Sequence, residues 1–134
     1  MAVMPSVFSM VIAGDLPGRF VYRDDRVVAF LSIAPLTQGH TLVVPVAEVD
    51  DWTTLDPELW SHVTSVAALL GRAVRKAFDA PRAGLVIAGF EVRHAHVHVF
   101  PAHGMADFDF ANVRHDPPES ELDEAQRRIV AALE

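Results

Sequence analysis

Cysteine is absent from the 134 residues. This absence excludes disulfides, thiolate catalysis and zinc or iron–sulfur sites built on Cys ligands. No run approaches the roughly 20 consecutive apolar residues that a membrane-spanning helix needs. The first ten residues also lack the basic region that opens a secretory signal. We therefore expect a cytoplasmic protein that does not enter a membrane.

Basic residues are scarce. Eleven Lys and Arg stand against 18 Asp and Glu, which leaves a formal net charge of −7. Binding to a nucleic-acid backbone needs clustered cations, so we expect no nucleic-acid partner. A small anionic ligand held by His side chains or backbone N–H groups remains compatible with this charge. The length fits one domain over residues 1–134 with one hydrophobic core.

Apolar periodicity predicts the first half of the fold. Two apolar runs around a polar turn predict a β-hairpin over residues 20–31. Residues 41–44 form a further apolar run that predicts a buried strand, ended by Pro45 because proline cannot donate to a sheet ladder. Asp56 can cap a helix, and apolar residues then recur every three or four positions up to Phe78. Trp60 lies beside this apolar stripe, and we expect it to be exposed.

The second half continues with two apolar runs, residues 85–87 and 92–100, which predict two more strands. Residues 103–118 are expected to be irregular, and a helix capped by Ser120 should run to Leu133. The order of elements predicts an α+β domain. It would contain an antiparallel sheet of about five strands, one long helix and a C-terminal helix.

Three histidines alternate with small apolar residues at His94, His96 and His98. Because successive side chains of a strand point to opposite faces, a strand here would place all three imidazoles on one face. Three interpretations are open. The histidines could form a solvent-facing row without function. Two of them could ligate a metal, since the outer pair would lie roughly 13 Å apart at the rise of a strand.

The third interpretation is covalent catalysis on phosphorus. A neutral imidazole is nucleophilic at neutral pH, and neighbouring imidazoles can donate hydrogen bonds to a phosphoryl oxygen or protonate a leaving group. His96 has a histidine on either side and is the natural nucleophile.

The run His-x-His-x-His with two following apolar residues resembles the signature of the histidine-triad (HIT) superfamily of nucleotide hydrolases and transferases. Further blocks resemble this superfamily in the same order along the chain: 12–17 its I-x-G-x-x-P segment, 22–25 its hairpin, 29–35 its base-binding strand and 38–45 its G-H-x-L-[VI]-x-P strand. The resemblance covers residues 6–101, and the tail over 102–134 is divergent.

The resemblance implies a role for each matching histidine. His96 would attack the α-phosphorus of a nucleoside monophosphate derivative and form a nucleotidyl-histidine that water hydrolyses. His98 would contact the phosphoryl oxygens and assist the leaving group. His94 and His40 would fix tautomers around the triad. The substrate could be a phosphoramidate, a dinucleoside polyphosphate or an acyl-adenylate.

The same resemblance implies a binding site for a purine nucleotide. An apolar slot for the base would be built from Phe8, Val11, Phe30 and Ile33. Ser32 falls where an acidic or amide residue usually holds the ribose hydroxyls. Glu91 is a candidate contact for the group beyond the α-phosphate. The resemblance also implies a homodimer whose sheets join across a two-fold axis.

Two departures from the family pattern affect the expected chemistry. Relatives that bind zinc carry a C-x-x-C pair where this chain has Ser6 to Ser9, and a His where it has Glu48. We therefore expect no structural zinc and no required cofactor, with Mg²⁺ present only on a polyphosphate substrate. The loop before the triad is shortened, and Phe90 stands in its usual glutamine position, which removes phosphate donors.

Two alternative functions stay open at this point. The shortened loop favours a catalytically weak nucleotide-binding or interaction module. A metal-dependent hydrolase could use two triad histidines with His40 or His103.

Overall fold

A computed structural model describes residues 4–134, so the first three residues of the predicted domain lie outside the described part. Within this described part the chain forms three α-helices and five strands, joined in part by short 3₁₀ turns at Trp52–Thr54, Met105–Phe108 and Phe110–Asn112. The order is α1 Val7–Ala13, β1 Phe20–Arg23, β2 Val27–Leu31, β3 Thr41–Pro45, α2 Pro57–Phe78, β4 Arg82–Val86, β5 Val97–Ala102 and α3 Glu119–Leu133.

The five strands form one antiparallel sheet in the order β1-β2-β3-β5-β4. The predicted α+β class and five-stranded sheet are confirmed. Every residue of β2 and β3 is buried. This burial explains why both strands appear in the sequence as continuous apolar runs instead of alternating ones, since both of their faces are covered.

Helices cover the sheet on opposite faces. α2 and α3 pack on one face, where Val63, Leu70 and Ile129 are completely buried. α1 covers the other face through Phe8 and Val11. α2 begins after Asp56, whose side chain accepts from the N–H of Leu59, as predicted. Trp60 does not match its expectation: it is half-buried against the core and packs on Trp52 at 5.0 Å between ring centroids.

α1 was not predicted. Its signals are local: Ser6 caps the helix by accepting from the N–H of Ser9, and Gly14 ends it with φ +88°. The start of α3 also differs from the prediction. The helix begins at Glu119 after Pro118, and the first turn has no side-chain cap, so Ser120 lies inside the helix.

The bounds of β4 and β5 differ from the predicted runs. β4 begins at Arg82, and a Cβ on its Gly84 would lie 2.4 Å from the ring of Phe100, so the close pairing of the two strands requires glycine. β5 begins only at Val97, whereas the apolar pattern predicted a strand from residue 92. Its pairing with β3 stops at Val97 opposite Val43, although β3 itself continues to Pro45.

None of the helices within residues 4–134 combines the length and the apolar content that crossing a membrane requires.

Candidate active site

The three histidines do not share one open face. His94 and His96 precede β5, and only His98 lies within it. His94 has no exposed surface, His96 is 7% exposed, and His98 is half-buried. The expectation of an open row is wrong for His94, which is completely buried, although the ring of Phe8 lies 6.0 Å from that of His94 and 4.8 Å from that of His96. The N–H of Ala95 donates to the carbonyl of Val49 at 2.7 Å, so this segment is tied to the loop after β3 before the strand begins.

The ring of His96 is held by the main chain. Its Nδ1 lies 2.7 Å from the carbonyl oxygen of His94. A carbonyl only accepts, so Nδ1 carries the proton and Nε2 keeps its lone pair. Burial lowers the pKa of His96 below its ordinary value of 6.5, against the opposing effects of the His94 carbonyl and the Glu91 charge. At neutral pH the ring therefore presents an unprotonated nitrogen.

A chain of hydrogen bonds assigns the tautomers of His40 and His98. The N–H of Leu36 donates to His40 Nδ1 at 2.9 Å, so the proton of neutral His40 is on Nε2. That Nε2 lies 2.9 Å from His98 Nδ1 and donates to it. His98 then carries its own proton on Nε2.

Both members of this pair are neutral near pH 7. Burial, together with the nearby His98 and His96, lowers the pKa of His40 to about 3. Burial and the nearby His96 lower the pKa of His98 to about 4. The rings of His96 and His98 are edge-on at 4.9 Å between centroids. The site therefore offers a lone pair on one imidazole beside an N–H on the next.

These two rings line a cavity of about 960 Å³. The six residues predicted to bind the nucleotide also line it: Phe8, Val11, Phe30, Ser32, Ile33 and Glu91. His94 and His40 are not among its lining residues and lie buried behind the two that are. The structure thus brings the ten predicted site residues into one region, with two of them underneath the cavity wall.

Phe8 joins the apolar wall to His96. Its ring lies edge-on to His96 at 4.8 Å and to Phe30 at 5.6 Å. Ile33 is 77% exposed and Phe90 is 94% exposed, and both stand at the rim of the cavity. The hydroxyl of Ser32 accepts from the N–H of Ala34 at 3.2 Å and keeps its own proton free to donate.

Phe110 belongs to the site although the sequence did not indicate it. It opens the last 3₁₀ turn, lines the cavity, and lies edge-on to His98 at 5.0 Å. The tail that carries it is fixed to the loop before β3, because the N–H of Arg114 donates to the carbonyl of Pro35. A single aromatic residue in an irregular tail gives no sequence signal for such a contact.

Across residues 4–134, no group of three His, Cys, Asp or Glu side chains is arranged to hold a metal ion. His62 lies apart from the site, where its Nε2 is 2.7 Å from the carboxylate of Asp24.

The fold and site define an α+β protein whose antiparallel sheet carries an apolar cavity lined by two imidazoles and backed by further histidines. A family model described as the HIT domain matches residues 13–105, well over half of the chain. The chain belongs to the HIT family.

Two curated relatives illustrate the range of this family. "Protein hit" of Bacillus subtilis is 34% identical over 106 residues, which cover 75% of this chain and 73% of the relative. The adenylylsulfatase HINT3 of Arabidopsis thaliana is 28% identical over 100 residues, which cover 71% of this chain and 51% of that longer protein.

Solved structures share the whole architecture. A zinc-bound histidine triad family protein from Mycobacterium smegmatis superposes with a TM-score of 0.81 at 32% identity, covering 95% of this chain and 91% of the other. A hypothetical histidine triad nucleotide-binding protein from Sulfolobus tokodaii gives a TM-score of 0.80 at 26% identity, with 94% and 90% covered. The similarity therefore includes much of the tail that resembled nothing in the sequence.

Proposed function

We propose that this protein binds a nucleoside monophosphate derivative and hydrolyses or transfers its nucleotidyl group through a covalent intermediate on His96. One observation carries the proposal: the unprotonated Nε2 of His96 and the Nε2–H of His98 stand side by side at the wall of an apolar cavity. Names of relatives support the ligand class, since one is a nucleotide-binding protein and another an adenylylsulfatase.

The first step forms a bond between His96 Nε2 and the α-phosphorus while the bond from phosphorus to the leaving group breaks. The leaving group departs with that electron pair, and the N–H of His98 donates a hydrogen bond to a phosphoryl oxygen or to the departing atom. The proton on His96 Nδ1 stays there, hydrogen-bonded to the carbonyl of His94, and the His96 ring becomes cationic. The carboxylate of Glu91, whose charge already favours the protonated form of His96, favours this cation too.

The second step regenerates the enzyme. Water attacks the phosphorus, the bond to His96 breaks, and the lone pair returns to Nε2. The net reaction adds one water, gives the nucleoside monophosphate and leaves the leaving group protonated. The chain's own residues need no metal for either step, and we propose that Mg²⁺ enters only with a polyphosphate substrate.

The binding site has an apolar part and a charged rim. Phe8, Val11 and Phe30 provide flat or branched apolar surface for a base, and we assign this slot to a purine. Ser32 can donate to a ribose hydroxyl through the proton that it keeps free. Four charged side chains also line the cavity, namely Arg19, Glu91, Asp116 and Glu119.

The test is acid-quenched intact mass spectrometry of the protein mixed with adenylate donors, beside a His96→Ala variant. The donors are a phosphoramidate, a dinucleoside polyphosphate and an acyl-adenylate. We expect a transient gain of one AMP on the wild-type chain and none on the variant. Turnover that survives in His96→Ala would refute the covalent mechanism. Binding of AMP without an adduct or turnover from any donor would favour a nucleotide-binding module instead.

We also propose a homodimer whose sheets join across a two-fold axis, as the family resemblance implies, and we place its interface at β4. This strand pairs only with β5, and it stands at the end of the sheet order. An unpaired edge is a template for another strand, and a two-fold axis would join two copies into one sheet. Light scattering on the purified, cytoplasmically expressed chain should give twice the mass of 14.7 kDa, and a monomer would contradict this.

A further inference from the structure

Four side chains from three separate segments, one of them the triad residue His94, meet behind His96. Ser6 and Ser9 come from the start of α1, Glu48 from the loop after β3, and His94 from the segment before β5. Ser6 Oγ lies 2.7 Å from His94 Nδ1, and Ser9 Oγ lies 2.7 Å from Glu48 Oε1. We call these four residues the clasp.

The shorter contacts assign the protons of the clasp, in which Ser9 Oγ also lies 3.5 Å from His94 Nδ1 but 2.7 Å from Glu48 Oε1. His94 Nε2 lies 2.7 Å from the carbonyl of Pro45, so Nε2 carries the proton and Nδ1 accepts. The hydroxyl of Ser6 therefore donates to Nδ1, while its oxygen accepts the N–H of Ser9 at 2.9 Å. Both ring nitrogens of His94 are thereby used, as the complete burial of this side chain requires.

Glu48 holds the other half of the clasp. Its Oε1 accepts from the N–H of Ser6 at 2.6 Å and from the hydroxyl of Ser9. These bonds attach the first turn of α1 to the loop after β3. The same helix carries Phe8, whose ring contacts His96. The carboxylate therefore places Ser6 against His94 and sets the wall of the cavity at the same time.

The clasp does not fit a metal ion. A zinc site uses thiolate, imidazole or carboxylate ligands, and two of the four side chains here are neutral hydroxyls. The remaining two, Glu48 and His94, are each already bonded within the clasp. Hydrogen bonds thus connect the segments of this chain that the family resemblance aligns with the C-x-x-C pair and the His of zinc-binding relatives.

From this geometry we infer that Ser6 is a positioning residue for the nucleophile. Its hydroxyl, held in place by Glu48, fixes the orientation and tautomer of His94. The carbonyl of His94 then holds the Nδ1 proton of His96, and Nε2 points into the cavity. This inference deepens the proposed function and rests on it for its kinetic consequence. Its structural content can be tested without any substrate.

Two substitutions separate the hydroxyl from the helix cap. Ser6→Gly removes the hydroxyl but remains an acceptable N-cap, and Ser6→Thr keeps both the hydroxyl and the cap. We expect kcat to fall about ten- to hundredfold in Ser6→Gly, because a displaced nucleophile misses its line of attack. KM and the Kd for AMP should stay close to wild type. The kcat of Ser6→Thr should lie within about threefold of wild type, because the threonine hydroxyl retains the hydrogen bond to His94.

Imidazole ¹⁵N spectra provide the readout that a purely structural role would not move. In wild type, His94 should show a hydrogen-bonded Nδ1 acceptor with a protonated Nε2, and His96 the reverse tautomer. In Ser6→Gly the His94 Nδ1 resonance should shift to that of a free acceptor, and in Ser6→Thr it should not. Ser65→Ala, on the exposed face of α2, is the control for loss of a serine hydroxyl and should match wild type.

Equal kcat in the glycine and threonine variants would overturn the inference, as would an unchanged His94 resonance in Ser6→Gly. If the wild-type chain turns over no adenylate donor, the proposed function has failed. The ¹⁵N comparison still decides whether Ser6 sets the state of His94 in that case.

Discussion

Stability should fall steeply between pH 7 and pH 5 because the fold buries two neutral histidines. The pKa of His40 is lowered from 6.5 to about 3, and that of His98 from 6.5 to about 4, mainly by burial. The unfolded chain takes up a proton at each site as the pH falls through 6.5, whereas the folded chain does not. Each histidine therefore contributes stability that is complete above pH 6.5 and is lost toward acid pH, by about 2 kcal/mol between pH 7 and pH 5.

Urea denaturation at pH 7 and pH 5, followed by tryptophan fluorescence, measures this loss. The carboxylates with lowered pKa values act mostly below this window. His40→Asn keeps an acceptor for the N–H of Leu36 and cannot be protonated. Between pH 7 and pH 5 its free energy of unfolding should therefore fall by about 2 kcal/mol less than that of wild type. His103→Asn, at an exposed histidine, is the matched control and should keep the full dependence. The reasoning fails if wild type and His40→Asn lose the same free energy across the window.

Three further predictions concern catalysis, packing and the clasp. Because burial lowers the pKa of His96 below 6.5, the acid limb of kcat/KM should be centred below pH 6.5, and an acid limb centred above pH 7 would contradict this assignment. Gly84→Ala should destabilise the fold by about 1–3 kcal/mol through its overlap with Phe100, as measured by urea denaturation. Gly104→Ala, with no atom within 4 Å of its Cβ, should cost less than about 0.5 kcal/mol. The triple variant Ser6→Cys, Ser9→Cys and Glu48→His, beside His94, replaces the clasp with zinc ligands. Native mass spectrometry should detect one zinc bound per chain. A metal-free product would show that the four side chains do not converge.

Local signals predicted those parts of the fold whose stability is local. α2 has a capping Asp56, a regular apolar stripe and a left-handed residue at Asp79, all within one continuous segment. α1 carries comparable signals in Ser6 and Gly14, but it is only seven residues long. Over so short a helix, two apolar contacts are not enough to distinguish helix from loop by periodicity.

In the site, too, the sequence predicted local features and missed contacts between distant segments. The alternation of histidine with apolar residues pointed to the region of the nucleophile. It also predicted that β5 begins earlier than it does, because an alternating pattern cannot show where the pairing of β5 with β3 stops. The contacts of His94 with Ser6, 88 positions away, and of His98 with Phe110 depend on tertiary packing. Neither contact leaves a trace in the spacing of nearby residues.

The acceptor that sets the tautomer of His96 is a main-chain carbonyl, and this has a consequence for how the protein tolerates mutation. Every amino acid carries that oxygen, so no substitution at position 94 can delete it. Changes that move the backbone can still take it away, and replacement of His94 is one of them, because it removes the imidazole bond to Pro45 and leaves only the Ala95 bond to Val49. Replacing His94 therefore acts on the tautomer of His96 only by displacing this backbone, and changes at Ser6 or Val49, distant in sequence, that displace the same segment should have the same effect.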